Sequence, residues 1–174
     1  GGGEPVSVPV GAPVFISVAG MGRVECERCV TRGGGRAGQL LWVTGELGGS
    51  YGSGKHLDFR PRVREGQWLA LHVGPGAMMD LSDGLGRDLP RLAEASGCDF
   101  ELSVASVPCY EECSIEQALG DGEDMELLFT TDDEEWVIEF ELEFPQTAVS
   151  RIGRLVARGE GESQLGSGWE HFRK

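Results

Sequence analysis

Apolar residues in this chain recur in short runs and in one clear helical stripe, and the two patterns predict different elements. Residues 1–11 show no period and read as loop. Residues 14–18 are apolar and β-branched, which predicts a strand continuing over 21–24. Leu40–Thr44 (LLWVT) predicts another strand, and the glycine-rich run 45–54 breaks any regular element after it. The apolar run 67–73 fits either a strand or a helix, because short runs do not discriminate. Leu81, Leu85, Leu89 and Leu92 recur at spacings of four, four and three, one face of a 3.6-residue period. That stripe predicts a helix that begins at Ser82 or Asp83 and leaves at Ser96–Gly97, glycine being a common exit residue.

Phe100, Leu102 and Val104 alternate with polar residues as a half-buried strand does, and Pro108 closes it. Residues 110–119 suggest a short helix, and 125–129 (MELLF) a buried strand. Trp136, Phe140 and Phe144 stand four apart, predicting an acidic amphipathic helix over 133–144 that Pro145 stops. Residues 148–156 return to a strand, and 159–168 are a glycine-rich loop. Strands and helices alternate without a repeated strand–helix–strand unit, so the pattern predicts an α+β domain. A module boundary falls at the glycine-rich, basic connection 31–39.

At 174 residues the chain suits one domain, or one domain with part of another. A composition 40% hydrophobic and 25% charged is that of a folded chain rather than a disordered one. Fifteen basic against 29 acidic residues give a net charge of −14. A field of that sign repels phosphodiester backbones and anionic lipid, so neither nucleic acid nor membrane is an expected partner. A phosphorylated metabolite remains open, because a divalent metal inverts the local electrostatics. No run of about 18 apolar residues occurs, and the opening lacks a basic-then-apolar leader, so a soluble cytoplasmic protein is expected. Five cysteines, Cys26, Cys29, Cys98, Cys109 and Cys113, argue against a disulfide framework. Two pairs of them would suffice for zinc, but the second is loosely spaced, and scattered reduced thiols are the simpler reading. The 28 glycines have no triplet period and mark tight turns or ligand-wrapping loops.

Candidate chemistry concentrates in two acidic segments. Asp80, Ser82 and Asp83 place two carboxylates and a hydroxyl near the expected start of a helix. Hard oxygen ligands of this kind suit magnesium bound together with substrate phosphates. The same residues also suit plain helix capping by Ser82 or Asp83. The second segment packs Asp121, Glu123, Asp124 and Glu126 before an apolar strand, either as functional acids or as a solvated charge cluster. The Gly52–His56 stretch lacks the spacing of a phosphate-binding Walker loop, and His56, His72 and His171 are too dispersed to form a triad.

Several of these segments follow one another in a specific order. They are VTGELGGS at 43–50, Pro61-Arg62, AMMDLSDGL at 77–85, Asp88-Leu89 with Leu92, Ser96-Gly97, GEDMELLFT at 122–130, Ile152-Gly153 and Gly168 to Phe172. In these motifs, across residues 14–172, the chain resembles the thiamine-monophosphate kinase family, of the superfamily that includes aminoimidazole ribonucleotide synthetase and selenophosphate synthetase. The resemblance implies a C-terminal α/β sandwich over residues 39–174, with residues 1–38 the end of an N-terminal ATP-binding and dimerisation domain. It implies magnesium-assisted transfer of the γ-phosphoryl group of ATP to thiamine monophosphate by a homodimer. On the same ground Asp80 and Asp83 are magnesium ligands and the catalytic carboxylates, and Ser82 and Arg32 contact ATP. Gly3 and Glu4 stand at the nucleotide and metal site, Glu123 or Glu126 contacts thiamine monophosphate, and Trp169 packs on it.

The departures bear on activity. Family members run to roughly twice this length, and the acidic metal-binding motifs of their first half do not occur here. Glu4 replaces an aspartate, which lengthens the carboxylate arm by one methylene where magnesium geometry is strict. Gln39 stands where an aspartate usually follows glycine, and the link over 108–118 is short. The alternative reading is therefore a non-catalytic nucleotide-binding module, or a partner subunit of the same superfamily. A related enzyme with another acceptor is a third reading, against which Trp169 and the GEDMELLFT segment favour thiamine.

Overall fold

The strand LLWVT, β1 (Leu40–Thr44), lies at the centre of a five-stranded sheet because its residues are apolar on both faces. The computed structural model describes residues 17–25, 29–111 and 113–165. In chain order β1 is followed by α1 (Ser50–Ser53), α2 (Val63–His72), β2 (Met78–Leu81), α3 (Leu85–Ala95) and β3 (Cys98–Leu102). Then come α4 (Ile115–Gly120), β4 (Glu126–Thr131), α5 (Val137–Glu143) and β5 (Val149–Ala157). The sheet order is β2-β4-β1-β5-β3, and every neighbouring pair is antiparallel.

Alternation along the strands sends the two faces into two different cores. Leu41, Val43, Leu81, Phe100, Leu128, Ile152 and Leu155 pack with Leu85, Leu89, Leu92 and Ala93 of α3 and Ala118 of α4, a mostly aliphatic layer. Trp42 and Phe129 face the other way, toward Leu69 and Trp68 of α2 and Trp136, Phe140 and Phe144 at α5, an aromatic layer. Helices therefore cover both faces of the sheet, an α/β sandwich. No helix among the described residues is long and apolar enough to cross a membrane.

Several elements differ from the sequence reading. Residues 17–25 are exposed and form no strand, and positions 14–16 lie outside the described residues. The run 67–73 belongs to a helix, where Trp68 stacks on His72 one turn later at 4.7 Å between ring centroids. Leu81 sits on β2 rather than on a helix, and α3 starts only at Leu85. The leucine stripe runs across this boundary because Leu81 and α3 bury against the same aliphatic layer. Neither Ser82 nor Asp83 caps α3: Gly84, with φ +90°, occupies that position without a side-chain cap. A Cβ there would lie 2.5 Å from the Asp121 carbonyl oxygen, so only glycine fits. The acidic helix is shorter than its spacing suggests, with Trp136 and Phe144 just outside its ends. The strand after Gly97 spans Cys98–Leu102, and Val104 begins a single 3-10 turn. Four residues of the 45–54 run form α1.

Leu89 is fully buried between α3 and the sheet. Leu89→Ala should lower unfolding free energy in urea by about 2–5 kcal/mol. A loss below about 1 kcal/mol would mean that this layer is not packed as described.

Candidate functional site

Three segments distant in sequence meet at the end of β2. The turn before β4 runs against the β2–α3 loop, with Glu123 N–H donating to the Ser82 carbonyl at 2.8 Å and Met125 N–H to that of Leu81 at 2.9 Å. Glu123 (φ +68°) and Met125 (φ +55°) both adopt the left-handed region, which is uncommon for residues with a Cβ and marks local strain. On its other side the turn engages the GELGGS loop after β1. Asp124 is 1% exposed and accepts from the backbone N–H of Gly48 and the hydroxyl of Ser50. Asp121 accepts from Gly49 N–H at 3.0 Å. Burial pushes the Asp124 carboxyl above its ordinary value, against the opposing pull of the Ser50 hydroxyl and Gly48 N–H.

Glu126 opens β4 and is equally buried. Arg62 reaches it with two parallel bonds, Nε at 2.7 Å and Nη2 at 2.8 Å, and the Thr44 hydroxyl donates a third at 2.7 Å. Lys55 Nζ stands 3.6 Å away and donates to the Glu46 carbonyl. The network continues from Arg62 Nη1 to Thr147, whose hydroxyl donates to Glu65. The bond to Glu126 holds the Arg62 guanidinium above its usual range. Gly45 (φ +61°) is required beside this pair, since a Cβ would meet Glu126 Oε1 at 2.3 Å.

The candidate residues of the β2–α3 loop are arranged differently from one another. Asp80 is exposed on β2, and its carboxylate has no ion pair or hydrogen bond among the described residues. Asp83 pairs with Arg91 Nη1 at 2.5 Å. Asp88, with no exposed surface, accepts from the N–H groups of Ser82 and Asp83 at 3.0 and 2.9 Å and pairs with Arg91 at 2.9 Å. Burial raises the Asp88 carboxyl, while these N–H groups and Arg91 oppose the shift. Glu123 lines a small cavity of about 210 Å³ with Tyr51, Gly52, Asp121 and Gly122. Tyr51 stacks on His56 at its edge. A roomier cavity of about 470 Å³ lies over β3 and β5, lined by residues that include Glu101, Arg151 and Arg154, and holds none of the candidates.

Ser82, Asp83 and Glu123 are thus brought to one region, with Asp80 just before them on the face of β2 opposite Leu81, whereas Glu126 is committed to Arg62 and Thr44 inside the domain. Arg32 lies by the far end of α3, where its carbonyl accepts from the Ser96 hydroxyl. An eleven-residue helix, about 16 Å long, separates it from the Asp83 end. Gln39 is 3% exposed and ties Thr130 and Asp132 to the N–H of Arg36. Gly3, Glu4 and Trp169 lie outside the described residues. No group of three or more His, Cys, Asp or Glu side chains placed to hold a metal occurs among the described residues. Magnesium takes one or two protein carboxylates alongside substrate phosphates, so the donor chemistry of Asp80 and of Asp83 suits it. Sequence reasoning passed over Asp88 and Arg91 as parts of the site, and strand parity alone carried the signal for Glu126. It shares its face of β4 with Leu128, hence a buried position.

A family model described as AIR synthase related protein, C-terminal domain, matches residues 54–166. The thiamine-monophosphate kinase of Rhodopirellula baltica is 35% identical over 156 residues, covering 84% of this chain and 48% of that protein. That of Aquifex aeolicus is 33% identical, covering 99% of this chain and 62% of its own length. The chain therefore spans about half to three-fifths of the curated relatives it matches. Among solved structures, the Aquifex aeolicus thiamine monophosphate kinase superposes with a TM-score of 0.62 at 28% identity, covering 79% of this chain and 54% of that one. A solved complex with AMPPCP and TMP superposes with a TM-score of 0.59 at 30% identity, over 82% of this chain and 54% of that one.

The Glu126–Arg62 pair offers a direct check. Arg62→Met leaves a buried carboxylate without its main partner and should cost about 3–5 kcal/mol in denaturant unfolding. Adding Glu126→Leu should recover much of that loss, whereas strictly additive effects would show that the two side chains act independently.

Proposed function

Because this chain belongs to the thiamine-monophosphate kinase family of AIR synthase-related proteins, we propose that it forms the C-terminal part of an ATP-dependent phosphotransferase acting on thiamine monophosphate. The observation that carries the reading is the convergence of the GELGGS loop, the Asp80–Asp83 segment and the Glu123 turn at one end of the sheet. A structurally similar relative, solved with AMPPCP and TMP, supports the same pair of substrate classes.

Phosphoryl transfer asks for positioning and for neutralisation of oxygen charge rather than a covalent nucleophile. In this reading Asp80 and Asp83 hold magnesium, and Ser82 offers its hydroxyl to a nucleotide phosphate. Magnesium, when bound, supplies neutralisation of phosphate charge that a chain of net charge −14 cannot provide by itself. Glu123, at the rim of the small cavity, faces thiamine monophosphate. Glu126 acts one layer behind it, fixing Arg62 and the loop after β1. Arg32 and Gly3-Glu4 reach the nucleotide, and Trp169 packs on the thiamine ring system. Residues 39–174 make up the closing domain, residues 1–38 lead from a nucleotide-binding one, and the working unit is a homodimer.

The complete polypeptide, supplied with ATP, magnesium and thiamine monophosphate, should form thiamine diphosphate. Asp83→Asn should remove several kcal/mol of transition-state stabilisation and so reduce turnover about a hundredfold or more. No thiamine diphosphate at saturating ATP and magnesium would sink the kinase reading and leave a nucleotide-binding module. A wild-type rate in the variant would sink the assignment of Asp83 alone.

A further inference from the structure

Asp83, read above as a metal-binding carboxylate, is already held by a cation of this chain. Arg91 Nη1 lies 2.5 Å from Asp83 Oδ2 and 2.9 Å from Asp88 Oδ1. Asp88 is fully buried and takes the N–H groups of both Ser82 and Asp83 on its second oxygen. One α3 side chain thus fixes the peptides of the loop. Another, three residues on, fixes the loop's carboxylate.

The two contacts of Arg91 are unequal in accessibility. The Asp88 side chain has no exposed surface, while that of Asp83 is 22% exposed and that of Arg91 42%. The Arg91–Asp83 contact is open to solvent and is the weaker link, because partly exposed ion pairs contribute little net stability. The Arg91–Asp88 contact is anchored on a carboxylate that the loop N–H groups already hold in place. A divalent cation carries twice the charge of a guanidinium and prefers compact carboxylate oxygen, so it can take Asp83 while Arg91 stays on Asp88.

We infer that Arg91 is a placeholder cation, occupying Asp83 until a divalent ion replaces it, with Asp88 retaining the displaced guanidinium beside the loop. Arg91 is therefore a positioning residue. It lies between two carboxylates, Asp83 and Asp88, at the head of α3, and it raises the concentration of metal at which the site fills. The inference rests on the reading of Asp83 as a metal-binding carboxylate.

The test is titration of Mn²⁺ into the complete polypeptide, with free ion read by electron paramagnetic resonance at fixed ionic strength. Arg91→Met removes the guanidinium charge from Asp83, and Arg91→Gln does so while keeping an N–H donor for Asp88, in case the methionine variant folds poorly. Each should bind Mn²⁺ about three- to fivefold more tightly than the parent, the range expected for loss of a partly exposed competing pair. Unchanged or weaker binding in a folded variant would overturn the placeholder role. Asp83→Asn separates the two levels of the argument. It should bind Mn²⁺ far more weakly, and parent-like binding by it would overturn the reading of Asp83 on which the inference stands.

Discussion

Carboxylates taken out of water require donors, and the turn leading into β4 takes two of them, Asp124 and Glu126, inside the domain. The positions of the surrounding loops follow from that requirement. Asp124 recruits Gly48 N–H and the Ser50 hydroxyl, which curls the segment after β1 back over the turn. Glu126 recruits Thr44 and Arg62, which sets the start of α2. The turn meets these demands with two residues in left-handed backbone conformation, and its remaining N–H groups lock the end of β2. Strain and buried charge are thus concentrated in the same few residues that carry the candidate surface. Such features persist only where the surroundings over-determine them.

Much of the fold was legible because its periods are clean. LLWVT and the segment before Pro145 announced themselves, and the aromatic triplet Trp136, Phe140 and Phe144 does form one layer. The leucine stripe misled at its first member. A sheet edge and a helix that bury against the same layer continue one another's spacing, so Leu81 was counted with α3. The candidate site was legible in part. Ser82 and Asp83 do come beside Glu123, because the loop and the turn are joined through backbone groups, while Asp80 precedes them on the other face of β2. What a linear reading cannot supply is the allocation of partners. Strand parity turns Glu126 inward with Leu128, but no spacing shows that Arg62 and Thr44 take it or that Glu123 lies beside a cavity.

The charge balance connects this geometry to chemistry. A chain of net charge −14 that gathers further carboxylates at one end is a poor host for polyphosphate unless positive charge is imported. Three cations that meet these acidic segments, Lys55, Arg62 and Arg91, are engaged with this chain's own oxygens.

The division of the sheet into an aliphatic and an aromatic layer also decides what light reports about this molecule. Trp42, Trp68 and Trp136 all belong to the layer of α2 and α5, and none lies among the aliphatic residues under α3 and α4. Among the described residues, tryptophan emission is consequently a one-sided gauge. It follows loosening of the face away from the Asp83 loop and is blind to rearrangements of the face that carries it.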